Sequence, residues 1–360
     1  MKTDIYVIYG GKSVEHDASL LSAFSVINSL DRSKFNVYPV YITRNGVWCE
    51  LGRLDVKLEN IEQLQVSSSA TVTESIGKFI SKNFKENKKS IVFPVLHGTN
   101  GEDGTIQGLL EMLNIPYVGN GVLSSAVGID KVMMKDIFSL GNIPQAKYTS
   151  IKLHDWKTNE VKAYKQIEDS IGYPCFVKPA KLGSSVGINR CKNAAQLREA
   201  VNEAFLYDSK VIIEEEIIGR EMQIAVVGND YPSASVVGEY IQERQFMDYA
   251  AKYIDGKLIP VIPARITEEM SKAMRETAIQ AFKLLNCCGL VRVDYFVTEE
   301  NKFYVNEVNT MPGFTAYSMF PALWEKTDGT TYSELIEKLI KLGFCKHKQK
   351  NSILTMRWER

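Results

Sequence analysis

Long hydrophobic runs are missing from this chain. No apolar stretch in its 360 residues approaches the ~20 that a spanning helix needs, so the sequence predicts no membrane-spanning helix. An excess of one charge is missing too. Lys and Arg number 43, Asp and Glu 43, so nothing global points to nucleic acid or an acidic membrane. Any anion site must come from individually placed residues. The six cysteines (Cys49, Cys175, Cys191, Cys287, Cys288, Cys345) show no CxxC spacing, and the four histidines form no HxxxH, which argues against a zinc enzyme. The cysteines read as reduced thiols, mostly buried, in a cytoplasmic protein. The Gly/Ser loop at 183–187 is not followed by GK[ST] opening a helix, which excludes a Walker A site there. No internal repeat is seen, and MKTDIYVIYGG reads as a strand, with no cleavable signal pattern.

What is present is ordinary for a globular protein of two or three domains: 45% hydrophobic and 24% charged residues. DIYVIYGG at 4–11 reads as a buried strand, and KSVEHDASLLSAFSVINSL carries apolar positions at helical spacing. Val37–Ile42 is the next strand. IVFPVLHG at 91–98, then TNGEDGTIQGLLEMLNI, repeats strand, Gly-rich turn and helix. This is the start of a doubly wound α/β unit, whose strand-end loops carry ligand contacts. Glu15 either meets a ligand ammonium or complements the helix dipole. His97 and Glu102 are the candidates at the second strand end, although a lone His there is commonly a structural hydrogen-bonder. PYVG at 116–119 closes the first domain near 120, and residues 50–90 carry little pattern.

Residues 121–140 read as helical and place Lys131, which a solvated helix lysine would equally explain. Strand Cys175–Lys178 leads into the Gly183–Gly187 loop, whose N–H and hydroxyl donors could wrap phosphates or simply form a hairpin turn. Lys178 is within reach of such phosphates. Helix Ala194–Phe205 follows, then strand Val211–Ile213, a hinge at Glu214–Ile217 and a strand from Glu221 to Gly228. Three consecutive glutamates would suit a solvated turn or a hinge meeting adenine and ribose. Tyr249, Lys252 and Tyr253 fall in a long irregular connection, 238–265, of the kind that forms lids. Helix Thr267–Leu285 precedes the densest segment, GLVRVDYFVTEENKFYVNEVNTMPGFTAYS at 289–318.

Two strand-like runs there, Gly289–Val297 and Lys302–Asn309, flank the turn Thr298–Asn301 and predict a hairpin. Pairing Val297 with Lys302 puts Arg292 across from Glu307, Asp294 diagonal to it, and Asn309 on the same face. Oxygen-only ligation of that kind suits Mg²⁺. A plain cross-strand ion pair on a solvated face fits the same spacing. Tyr332–Leu342 reads as a last amphipathic helix and 346–360 as a loose tail.

Together these motifs resemble the D-alanine–D-alanine ligases of the ATP-grasp superfamily. YGGKSVEHDASL, LHGTNGEDGTIQG, GIDK, KPAKLGSSVG, EEEIIGRE, MDYAAKY, RVDYF and NEVNTMPGFTAYS occur in the family's order from Ile5 to about Leu342. The resemblance implies a three-domain α/β fold: 1–120 an N-terminal substrate domain, 121–213 a central and 214–345 a C-terminal ATP-grasp domain, with 346–360 as tail. It implies ATP and two Mg²⁺ (or Mn²⁺) as cofactors, D-alanine as substrate, no nucleic acid or membrane partner, and a cytoplasmic homodimer. It also implies two steps. A first D-alanine becomes an acyl phosphate, and the amine of a second attacks it through a tetrahedral intermediate.

Carried over by position, Lys131 and Lys178 would hold phosphates, with Gly183, Ser184, Ser185 and Val186 closing over them. Glu215, Glu216 and Ile217 would read adenine, with Glu214 and Glu221 on the amino group and ribose. Asp294, Glu307 and Asn309 would bind the metals. Glu15 and His97 would hold the first substrate. Arg292 and the N–H of Gly313 would stabilise the oxyanion. Ser318 and Lys252 would meet the second substrate's carboxylate, Met319 beside Ser318 would wall its pocket and favour alanine, and Ser184, Tyr253 and Glu15 would link the lid.

The sequence departs from the family at Met247, where an aromatic is common. Tyr253 favours an amine nucleophile, and no His lies between 155 and 346 as a D-lactate-type lid would carry. D-Serine is harder to separate, because apolar pockets reject an added hydroxyl poorly. Another ATP-grasp ligase would not carry HGTNGEDG and MPGFTAYS together. A non-enzymatic nucleotide-binding module would be expected to lack Arg292, Asp294, Glu307 or Asn309.

Overall fold

The computed structural model describes residues 2–84, 89–241 and 259–354. Its strands gather into three sheets. In the first, β1 (Thr3–Gly10) pairs in parallel with β2 (Phe35–Ile42) and β4 (Ser90–Val95), and β3 (Trp48–Glu50) adds antiparallel to β2. Every residue of β1 is buried, as expected for a parallel strand covered on both faces. That is why DIYVIYG is a continuous apolar run instead of an alternating one. The helix His16–Ser29 makes the crossover from β1 to β2. PYVG contributes a single bridge, Val92 with Tyr117, and residues 72–83 of the weakly patterned stretch form a helix with a Thr71–Glu74 capping box.

The second sheet, entirely antiparallel, contains β5 (Tyr148–Lys152), β6 (Cys175–Pro179), β7 (Asn189–Cys191) and β8 (Lys210–Glu215) in the order β5-β8-β6-β7. Helix Ala194–Ala204 covers it through Leu197, Ala200, Val201 and Ala204. The third holds β9 (Arg220–Gly228), β10 (Ser233–Ala234), β11 (Gly238–Ile241), β12 (Ile259–Val261), β13 (Gly289–Val297) and β14 (Phe303–Asn309). Its path is β12-β11-β9-β13-β14, with β10 beside β9. One face packs Ile224, Val226, Val291, Val293 and Tyr295 against Met274, Ala278 and Phe282 of helix Glu268–Leu284, and against Met134 and Phe138 of helix Lys131–Leu140. On the opposite face Ala225, Val227 and Leu290 join the core of the first sheet, and the polar remainder is left for the site.

The chain's two ends share a core. Leu335, Ile336, Leu339 and Ile340 pack with Ile5, Val7 and Ile91. Their helix runs from Tyr332 to Asn351, nine residues past the Leu342 expected, so the start of the predicted tail is helical. The polar segment KHKQK hides this from a periodicity argument. It is exposed, has no apolar face, and is tied down by His347 to the carbonyl of Asn114 at 3.0 Å and by a Lys350–Glu111 ion pair. Buried Asn120 adds a second tie. Its amide donates to the carbonyls of Leu290 (2.6 Å) and Thr310 (2.8 Å) and accepts from Cys288 N–H (3.0 Å). All six cysteines are free thiols, five of them buried.

Candidate active site

The β13–β14 hairpin forms, but not in the register expected. Val297 lies opposite Phe303, one residue along from Lys302. That slip alone would turn Glu307 and Asn309 to the core face, because side chains alternate. A bulge after Asp294 corrects the parity: Tyr295 pairs with Val305, but Asp294 pairs with Glu307 and Arg292 with Asn309. Asn306 is the extra residue. The four polar groups therefore share one face, as predicted, by a route the alternation argument did not contain. Arg292 grips both oxygens of Asp294 at 2.7 Å, and Asn309 donates to the same carboxylate at 3.1 Å. Glu307 lies 3.2 Å from Lys131 Nζ, which also donates to the carbonyl of Leu182 at 3.0 Å. Glu221 and Gln223 of β9 pair with Phe296 and Asp294, which puts them on this face.

Behind this face lies a buried ion cluster. Glu214 sits in β8, not in a solvated hinge. One carboxylate oxygen is 2.9 Å from Lys135 Nζ, and the other is held by Lys178. Burial alone would raise the Glu214 pKa, but the two lysines hold it down to about 2. Lys178 also reaches Asn306 Oδ1, at 3.5 Å. Its neighbour along the chain is the Gly/Ser loop, where Ser184, Ser185 and Gly187 adopt positive φ (54°, 59° and 71°). Successive residues in that conformation turn backbone N–H groups inward, as an anion nest requires. Glu215 accepts from Lys147 N–H at 2.7 Å, and Glu216 is clasped by Arg190. Ile217, half-buried, follows in the segment between β8 and β9.

Glu15 caps helix His16–Ser29 by position without a side-chain cap bond, and is 7% exposed. Ser184 donates to its Oε1, while Oε2 is buried with no hydrogen-bond partner. Such an oxygen calls for a donor from a ligand. Gly98 and Gly183 make the room: a Cβ at either would lie 2.6 Å or 3.1 Å from Oε2. His97 stands nearby, its Nε2 3.0 Å from Ser22 Oγ and its Nδ1 3.1 Å from the carbonyl of Met311. Glu102 is 3.5 Å from that Nδ1. Burial, aided by the charge of Glu15, pushes the Glu102 pKa up to about 7. Burial alone would lower His97, but Glu102 outweighs it and the net shift is upward.

The family models for the D-ala D-ala ligase N-terminus and C-terminus match residues 4–120 and 137–341. The chain belongs to the D-alanine–D-alanine ligase family. A D-alanine–D-alanine ligase of Bacillus cytotoxicus is 50% identical over 98% of both chains, and one of Geobacillus thermodenitrificans 52% identical over the same share. Among solved structures, the D-alanine–D-alanine ligase of Coxiella burnetii aligns with a TM-score of 0.80 at 33% identity, covering 98% of this chain and 96% of its own. The VanG D-Ala:D-Ser ligase of Enterococcus faecalis gives 0.79 at 36%, covering 95% and 100%. The fold is thus that of the ATP-grasp enzymes, and this chain is an ATP-grasp ligase.

Against that family, the structure places the remaining expected residues unevenly. Gly313 lies near Ser318, whose Oγ accepts from Thr315 N–H at 3.0 Å. Met319 is buried in the core shared by the two chain ends, against Gly238. Met247, Lys252 and Tyr253 lie outside the described residues. Three site residues were not singled out from sequence. Lys135 follows Lys131 by one helical turn, and that spacing is the signal that could have found it. Gln223, 7% exposed with a buried unpartnered Oε1, sits two residues from Glu221 on the same strand face. Asn306 is visible only once the bulge is known. Among the described residues no helix is long and apolar enough to cross a membrane.

Proposed function

We propose that this enzyme joins two D-alanine molecules into D-alanyl-D-alanine, consuming ATP and releasing ADP and phosphate, to supply peptidoglycan precursors in the cytoplasm as a homodimer. The observation that carries this is the convergence, on one site, of a carboxylate with a buried open oxygen (Glu15), a loop of left-handed residues beside Lys178, and the oxygen-rich hairpin face.

In this reading Glu15 Oε2 accepts from the ammonium of the first D-alanine, with His97 beside it. Lys131, Lys178 and the Gly183–Val186 N–H groups draw the γ-phosphate into line with that substrate's carboxylate, and the carboxylate attacks it to give an acyl phosphate. The amine of the second D-alanine, its carboxylate near Ser318 and Lys252, then attacks the acyl carbon. Arg292 and Gly313 N–H stabilise the oxyanion, and phosphate leaves. Tyr253, with Ser184 and Glu15, would keep water from the acyl phosphate. Glu214 to Ile217, with Glu221, accommodate adenosine. Asp294, Glu307 and Asn309 offer only oxygen donors, which suits two Mg²⁺ or Mn²⁺. Bound there, the metals neutralise charge on the transferring phosphoryl group.

The deciding experiment is phosphate release with ATP and Mg²⁺, offering D-alanine alone and then with D-serine or D-lactate, products identified by mass. D-Alanyl-D-alanine as the dominant product supports the reading. A mixed product would move it to modified termini, and no release with any D-amino acid would overturn the substrate assignment.

A further inference from the structure

The two lysines that hold Glu214 are not equivalent. Lys135, on helix Lys131–Leu140, is 1% exposed, with its ammonium 2.9 Å from Oε1 and 5.7 Å from the centre of the Tyr148 ring. Tyr148 and Glu214 close around that ammonium. Lys178 takes the other oxygen from the end of β6, is 8% exposed, and already reaches toward Asn306 on the bulge. Glu307 and Glu221 act on it from the site side. We propose that Lys135 is the standing counter-ion of Glu214, and that this frees Lys178 to exchange Glu214 for a nucleotide phosphate. The proposal rests on the nucleotide reading above.

In a dry place every charge must keep a partner. If Lys178 swings to a phosphate, it abandons a buried carboxylate. Without a second cation, Glu214 would be left unpaired, a state costly enough to pull Lys178 back or force proton uptake. Lys135 removes that penalty without approaching the nucleotide. It is a positioning residue, acting through Glu214 on Lys178. The groups facing Glu214 are Lys135 from the helix, Lys178 from β6, and Tyr148 from β5. Tyr148 is its register partner, and its hydroxyl donates to Asp136. Glu307 and Glu221 lie beyond the lysines.

The test is Mg·ADP affinity by calorimetry on the full chain, with steady-state kinetics in ATP. Lys135→Met should weaken binding about tenfold or more, raising KM for ATP far more than it lowers kcat. Lys135→Arg should restore it. In Lys135→Met, affinity should recover as pH falls, because unpaired Glu214 then takes a proton and releases Lys178. A purely structural lysine would not produce that recovery. The double variant Lys135→Met/Glu214→Gln should bind as Glu214→Gln does. It also keeps the test open if Lys135→Met fails to fold, since it leaves no unpaired buried carboxylate and Lys178 keeps Asn306 within reach. Further weakening in the double variant would overturn the proposal. So would wild-type affinity in Lys135→Met while Lys178→Met binds poorly. Wild-type affinity in Lys178→Met would instead sink the nucleotide reading itself.

Discussion

Ser184 Oγ donates a hydrogen bond to Glu15 Oε1, joining the Gly/Ser loop of the second sheet to the first helix of the chain. One side chain thus reports the state of two parts of the site at once. The carboxylate that would receive the first substrate's ammonium is aligned by the loop that would cover the phosphates.

Ser184→Ala should therefore act on the substrate more than on the fold. A hydrogen bond to a charged group contributes about 1.5–3 kcal/mol, so kcat/KM for the first D-alanine should fall about ten- to a hundredfold. Melting temperature should change little. Steady-state kinetics with a thermal melt check both halves.

Glu307→Gln should reduce turnover about 100-fold or more with the fold kept, as far-UV circular dichroism would show. The Mg²⁺ concentration for half-maximal activity should rise. Wild-type turnover at ordinary Mg²⁺ would remove Glu307 from the metal set.

Glu102→Gln should flatten a pH dependence. Glu102 has an ordinary pKa of 4.5, raised to about 7 in the folded protein chiefly by burial. Below 4.5 the group is protonated in both states. Between 4.5 and about 7 only the unfolded chain ionises, so this contribution to stability is lost as pH rises and levels off above about 7. His97, also raised, changes in the same sense. Melting temperature measured across this window should fall less steeply in Glu102→Gln than in the wild type.

Asn120→Ala should be the most destabilising of these changes. It strips the carbonyls of Leu290 and Thr310 and the N–H of Cys288 of their partner in a buried place. The expected loss is about 3 kcal/mol, read by urea unfolding.

Much of this was legible in the residues. Apolar runs ending in Gly-rich turns marked β1 and β4 because parallel strands bury both faces. The helix expected over Thr267–Leu285 backs the hairpin as Glu268–Leu284, with the Thr267 side chain capping Met270 N–H. The motifs singled out Glu15, Lys131, Lys178 and the hairpin carboxylates, which the structure gathers around the Gly/Ser loop and β14. What was not legible depends on contacts between distant segments. Glu214 looks like part of an acidic turn until Lys135 and Lys178 arrive from a helix and another strand. The register of β14 depends on a bulge, and nothing in NKFYVNEVN announces that Asn306 is unpaired. The last helix outruns its amphipathic stretch because Thr331 and Glu334 box its start and exposed good helix formers carry its end.

The Asn306 bulge gives the residue count of β14 a meaning of its own. Deleting that one residue would leave a regular hairpin with the same turn. Glu307, Val308 and Asn309 would keep Asp294, Val293 and Arg292 as partners, and with them their faces. The opposite change is the damaging one. Were Asn306 drawn into the ladder opposite Asp294 with the turn unchanged, Glu307 and Asn309 would point into the hydrophobic layer and Val308 would face the site. A lineage could therefore lose the bulge residue and keep the chemistry of this face, but could not straighten the strand with its present length.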